Sequence, residues 1–124
     1  MGEAMNLPAR VALECDLLVV GAGAGGMAAA VTAAELGLRV IVAEKEARIG
    51  GTTAWSGGWM WVPCNPLARA TRPDHDDQEA ARTYLRNEIG ERYDATLIDA
   101  FLTAAPEMVA FFRERTDVQF INGA

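Results

Sequence analysis

Histidine and cysteine are scarce in this chain of 124 residues, which has one of the first, His75, and two of the second, Cys15 and Cys64. Cys15 abuts an apolar run and Cys64 lies in a Pro-Cys-Asn turn, so the two need not meet. Such sparing use fits a reducing compartment and points to the cytoplasm. Cys64 reads as a structural or incidental thiol rather than a reactive one. His75 sits among Asp74, Asp76 and Asp77 with no second anchoring element. That cluster reads as a solvated helix cap, and no metal site is assigned. Basic residues are outnumbered, 11 Lys and Arg against 17 Asp and Glu, for a net charge of −6. Nucleic acid is therefore a poor partner, because neutralising phosphates needs a basic face. Long apolar runs are also missing. Met1–Glu14 carries Glu3, Arg10 and Glu14 and lacks the apolar core of a signal peptide. Between residues 17 and 43 glycines, Glu35 and Arg39 interrupt the apolar residues, so no transmembrane segment is expected. Neither absence bars peripheral membrane contact. The chain is 51% hydrophobic, as an ordinary globular unit is.

What the chain does have is an ordered series of glycines. Leu17-Leu18-Val19-Val20 runs straight into Gly21-Ala22-Gly23-Ala24-Gly25-Gly26. The short apolar run reads as a buried parallel strand. Gly21 allows a tight turn, Gly23 lets a pyrophosphate approach the backbone, and Gly26 lets the next helix pack close to the strand. Ala28, Ala29, Ala30, Ala33 and Ala34 keep that helix thin, and Gly37 supplies the left-handed residue at its end. Free N–H groups and a partial positive charge at the helix start face the phosphates. A second apolar run, Val40-Ile41-Val42-Ala43, ends on Glu44, which follows Gly26 by 18 residues. An acid at about that distance accepts hydrogen bonds from ribose hydroxyls. Its charge repels a 2′-phosphate and argues against NADP, an exclusion that Lys45 and Arg48 weaken slightly. The combination of strand, glycine turn, helix, strand and acid predicts an α/β unit that binds a dinucleotide.

The set Gly21, Gly23, Gly26, Ala30, Gly37, Val40, Glu44, Lys45, Gly50, Gly51 and Thr52 resembles the N-terminal FAD fingerprint of glutathione-reductase-like flavoproteins. The continuation Gly50-Gly51-Thr52-Thr53-Ala54-Trp55-Ser56-Gly57-Gly58, then Trp61-Val62-Pro63-Cys64-Asn65, resembles the fumarate reductase and 3-ketosteroid 1-dehydrogenase group. The resemblance covers about residues 15–120, with specific motifs only in 18–65. It implies the N-terminal part of a Rossmann-like FAD-binding domain, with an incomplete parallel sheet and a helical segment. It places the cofactor on Gly21, Ala22, Gly23, Ala24, Gly25, Gly26, Glu44, Lys45, Gly50, Gly51, Thr52, Thr53, Ser56, Gly57 and Gly58. Succinate dehydrogenase and its close relatives attach flavin covalently to a His in the Gly-Gly-Thr region. No His lies between Gly50 and Gly58 here, so the FAD is expected to be non-covalent.

The resemblance further implies a flavin-dependent dehydrogenase that introduces a C=C bond next to a ketone in an apolar, steroid-like substrate. In that chemistry a base removes a proton α to the carbonyl, the β-hydride passes to flavin N5, and an acid polarises the ketone. The family's catalytic tyrosines lie beyond the matched segment. Tyr84 and Tyr93 do not match them, so no catalytic residue is assigned in 1–124. Alternatives are a fumarate-reductase-type flavoprotein and a non-catalytic nucleotide-binding fragment. Trp55, Trp59, Met60 and Trp61 read equally as a wall of the flavin or substrate site and as core beneath a long loop.

Along the chain, 1–14 is expected to be a flexible leader. Residues 15–124 are expected to be part of the FAD-binding domain, truncated before a substrate domain. The chain would then be a fragment, a truncated product or one part of a split enzyme. Residues 45–73 read as a long loop. Asp76 and Glu79 suggest a capping box on a helix ended by Gly90. Asp94 caps a second helix through Ala104, and Pro106 starts or kinks a third stretch to about Arg115. Phe101, Met108, Phe111 and Phe112 read as packing residues. Val118–Ile121 reads as a strand and Asn122-Gly123 as a hairpin turn.

Overall fold

Leu17–Val20 and Val40–Ala43 form two parallel strands, β1 and β2, joined by helix α1, Ala24–Glu35. The computed structural model describes residues 12–72 and 77–123. These fall into two compact units, Met1–Gly57 and Gly58–Ala124. Most of the expected leader lies outside the described residues, as do His75 and the Asp76 half of the expected capping box.

The first unit is the βα-β start expected from the sequence. Leu17 pairs with Val40 and Val20 with Ala43, so the strands run in register over their whole length. Asp16 fastens the start of the pair. Its carboxylate accepts from the Arg39 backbone N–H at 2.8 Å and from the Arg39 guanidinium at 3.1 and 3.2 Å. Those hydrogen bonds hold its pKa below the ordinary value, the side-chain bonds contributing most. Helix α1 covers one face of the sheet with small residues; Ala30 and Ala33 are buried there together with Val19. It ends at Gly37, whose φ of 85° is left-handed. The Gly37 N–H donates to the Ala34 carbonyl and the Leu38 N–H to the Ala33 carbonyl. This is the paired closure of a Schellman motif.

The second unit is helical. The stretch 45–73, expected as loop, contains a short 3₁₀ helix at Gly51–Trp55, in the first unit, and helix α2 at Pro66–Thr71, in the second. Asn65 caps α2: its side-chain oxygen accepts from the Leu67 and Ala68 N–H groups at 3.0 Å, and its amide donates to the Val62 carbonyl. Pro66 follows at the first helical position, where its missing N–H costs nothing. Cys64 is buried in the turn before the cap, with a left-handed φ of 60°, and neither cysteine forms a disulfide.

Helix α3, Gln78–Ile89, is capped by Asp77, whose carboxylate accepts from the Glu79 and Ala80 N–H groups. The cap therefore sits one residue later than the Asp76 expected, and Glu79 falls too early in the helix to complete a capping box. Gly90 ends α3 with a φ of 60°. Asp94 caps the last helix as expected, accepting from Thr96 and Leu97.

That helix, α4, runs unbroken from Ala95 to Arg115 through Pro106, rather than as two stretches. Proline removes the N–H that would bond the carbonyl four residues back. Here that carbonyl belongs to Leu102, and it accepts instead from the Gln78 side-chain amide at 3.1 Å. The buried seam of α4 is Leu102, Ala105 and Val109. Phe111 and Phe112 meet edge to face and are half-buried, as is Met108, while Phe101 lies at the rim. By length and apolarity alone, α4 meets the measure of a membrane span, with a mean hydropathy of 1.4 over its best window.

Val118–Ile121 forms no strand, and Asn122-Gly123 opens no hairpin. A strand needs a partner, and no sheet exists among the described residues of this unit. The segment lies instead along α2. The Asn122 amide donates to Thr71 Oγ1 at 2.9 Å and Arg72 to the Gly123 carbonyl at 3.4 Å.

Candidate nucleotide-binding site

The glycines of the β1–α1 turn divide by physical cause. Gly21 has a φ of 96°, which side-chain-bearing residues seldom adopt. A Cβ on Gly26 would lie 2.0 Å from the Gly21 carbonyl oxygen and 3.2 Å from Val19 Cγ1. The protein itself therefore demands glycine at both positions. Gly23 and Gly25 differ: a Cβ there would meet no atom within 4 Å. Gly23 also has an ordinary φ of −75°. Among the described residues no packing explains these two glycines, and bare backbone at Gly23 is what close approach of a pyrophosphate requires.

The start of α1 carries nothing that would oppose an anion. Gly23 is the N-cap, no side chain caps the helix, and its first turn holds no acidic residue. A helix has no carbonyl of its own to offer the N–H groups of its first turn, here Ala24, Gly25 and Gly26, and its pole there is positive, the arrangement that can take up an anion.

Two other segments converge on this turn. Glu44, at the end of β2, accepts from the Ala22 N–H at 2.7 Å through Oε2 and from the Glu46 N–H at 3.0 Å through Oε1. Its pKa is lowered by those bonds, the Glu46 bond contributing most. The Gly50 N–H donates to the Ala22 carbonyl at 2.8 Å. Gly51 lies so close to the turn that its Cβ would come within 3.1 Å of Gly23 Cα. Ala22, fully buried, thus spends both main-chain groups inside the protein.

The other expected residues lie around this core. Thr52 and Thr53 are exposed on the 3₁₀ helix that starts at Gly51, and the Ser56 hydroxyl donates to the Thr53 carbonyl at 2.8 Å. Lys45 is exposed and 3.5 Å from the Glu46 carboxylate. Gly57 closes the first unit and Gly58 opens the second. The structure thus brings Gly21 to Gly26, Glu44 and Gly50 to Thr53 together in one unit.

The three tryptophans are not buried among the described residues. Trp55 is 92% exposed, Trp59 80% and Trp61 50%. Within the second unit Trp61 stacks on Phe101 at 6.1 Å and meets Tyr84 at 5.4 Å, and Arg86 lies over Tyr93. Among the described residues no cluster of His, Cys, Asp and Glu could hold a metal ion.

A family described as the FAD binding domain matches residues 16–123. The chain belongs to this family. Its cofactor is FAD, and the cradle suits it, with an open glycine face at a helix N-terminus and a carboxylate at the end of the second strand. A 4-oxocyclohex-2-ene-1-carboxylate 5-dehydrogenase of Sinomonas cyclohexanicum is 50% identical over 109 residues, 88% of this chain and 18% of that protein. A 3-oxosteroid 1-dehydrogenase of Mycobacterium tuberculosis is 45% identical over 106 residues, 86% of this chain and 19% of that one. The crystal structure of a 3-ketosteroid delta1-dehydrogenase of Sterolibacterium denitrificans, in complex with 1,4-androstadiene-3,17-dione, matches with a TM-score of 0.69 and 39% identity. The match covers 81% of this FAD-domain chain and 17% of that structure. The chain thus spans about a fifth of the length of the relatives it matches.

Proposed function

We propose that this chain is the nucleotide-binding portion of an FAD-dependent dehydrogenase that introduces a C=C bond beside a ketone, with an apolar cyclic ketone of steroid-like character as substrate. The observation that carries the cofactor half is the pair Gly23 and Gly25, whose missing side chains no packing among the described residues requires. The activities of the relatives support the substrate half.

In this reading the N–H groups at the start of α1 hold the pyrophosphate, and Glu44 accepts from the adenosine ribose hydroxyls. Bound FAD supplies the hydride acceptor. Thr52 and Thr53, exposed on the 3₁₀ helix, are assigned to the flavin end. The flavin is held without a covalent bond, and no residue of this chain is proposed as catalytic. A cytoplasmic setting fits the thiol usage.

The test is an assay of the full protein with an artificial electron acceptor, comparing a 3-ketosteroid, 4-oxocyclohexanecarboxylate and fumarate. Dehydrogenation of either ketone, with flavin released intact on acid denaturation, is expected. Turnover of fumarate alone, or flavin that stays with the denatured protein, would overturn the reading.

A further inference from the structure

We propose that Glu44 is a positioning residue for the phosphate turn, holding its shape through Ala22 before a dinucleotide arrives, in addition to meeting the ribose. This rests on the assignment of the β1–α1 turn as a dinucleotide cradle.

The two carboxylate oxygens are held from two directions, Oε2 by the Ala22 N–H at 2.7 Å and Oε1 by the Glu46 N–H at 3.0 Å. The carboxylate cannot rotate without losing one of these charge-assisted bonds. A carboxylate offers about four lone-pair sites, so about two remain for ribose hydroxyls. The bond to Ala22 joins residues 22 apart in sequence and therefore fixes the turn against the end of β2. Ala22 passes the constraint on: its carbonyl receives the Gly50 N–H at 2.8 Å, and Gly51 then closes on Gly23. Three segments meet at one buried alanine, whose N–H is turned toward Glu44 rather than toward a phosphate. The depressed pKa of Glu44 has the same origin, since the bonds favour the charged form that makes them.

The ribose role and the positioning role predict opposite signs for a ligand that has no ribose. A carboxylate near bound phosphate repels it, so removing the charge alone would strengthen binding of inorganic pyrophosphate. Loss of a positioned turn would weaken it.

The experiment uses Glu44→Ala and Glu44→Gln in the full protein. Amide hydrogen exchange at Ala22, measured without ligand, is expected to quicken roughly tenfold or more in Glu44→Ala. It should quicken less in Glu44→Gln, whose amide oxygen keeps one acceptor. Inorganic pyrophosphate is expected to bind at least about threefold more weakly to Glu44→Ala than to the wild type, against the charge effect. Unchanged exchange at Ala22, or pyrophosphate binding as tight as wild type or tighter, would overturn the proposal. Should Glu44→Ala fail to fold, Glu44→Leu carries the test, because it fills similar space without an acceptor and unchanged exchange at Ala22 in that variant overturns the proposal equally. The dehydrogenase reading fails separately: a wild-type protein that takes up no FAD would sink it while leaving the ligand-free exchange result intact.

Discussion

At the scale of single residues, the glycines of the turn make separable predictions. Gly23→Ala places a methyl group in open space and leaves φ at an ordinary value. It is expected to change stability by no more than about 1 kcal/mol while lowering FAD affinity tenfold or more, as read by flavin fluorescence titration. Gly26→Ala drives a methyl group into the Gly21 carbonyl. It is expected to cost about 1–3 kcal/mol or more of stability, read by denaturant melts, because backbone must move to admit it. Asp16 makes the pH prediction. Its folded pKa is depressed, so its contribution to stability is present above the unfolded value near about 4 and is lost as pH falls through the folded one. The gap in melting temperature between wild type and Asp16→Asn should therefore be open at pH 7 and close below about pH 4. Much of the candidate site was readable at this scale. Gly21, Gly23, Gly26 and Glu44 answer to turn geometry and spacing, which are local properties. The engagement of Ala22 was not readable, because its partners Glu44 and Gly50 reach it only through the fold.

At the scale of elements, the same distinction between local and distant causes sorts what the sequence revealed. Strands β1 and β2, α1 and the caps at Gly37, Gly90 and Asp94 follow from neighbouring residues and appear where expected, whereas the strand expected at Val118–Ile121 does not form. Helix α2 also had a local signal, Asn65-Pro66 at cap and first position, hidden within a stretch that otherwise reads as loop. The continuity of α4 had none. Pro106 orphans the Leu102 carbonyl, and the amide that satisfies it comes from Gln78, 24 residues earlier in the chain. This pairing predicts a non-additive cycle. Gln78→Ala is expected to destabilise the protein by about 0.5–1.5 kcal/mol, the worth of one such bond. In a Pro106→Ala background the helix supplies its own N–H to Leu102. The same Gln78 substitution should then cost measurably less, by chemical denaturation of all four proteins. Equal costs in both backgrounds would mean that Gln78 does not serve the proline site.

At the scale of the whole molecule, what is covered and what is bare decides how these 124 residues behave when produced alone. Parallel sheets bury both faces. Here α1 covers one face of a two-stranded sheet, and on the other Leu18 is 55% exposed and Val20 82%. Two strands with bare outer edges and one bare apolar face are marginal by themselves and prone to associate. The second unit adds Trp59, Trp61, Tyr84 and Leu97 to the exposed apolar surface. Single exposed apolar residues are ordinary, but contiguous ones mark a surface that another surface covers. The complete phosphate turn does not compensate, since FAD also has a flavin end to be held. The chain expressed as these residues alone is therefore expected to bind an apolar dye, to elute from size exclusion as associated species, and to retain little FAD. Substituting Val20→Lys on the bare face should shift the elution toward monomer without repairing flavin binding, because the charge blocks association but supplies no missing contact. A soluble monomer with one FAD per chain would show that the turn, Glu44 and the Gly50–Gly51 segment suffice by themselves to hold the cofactor.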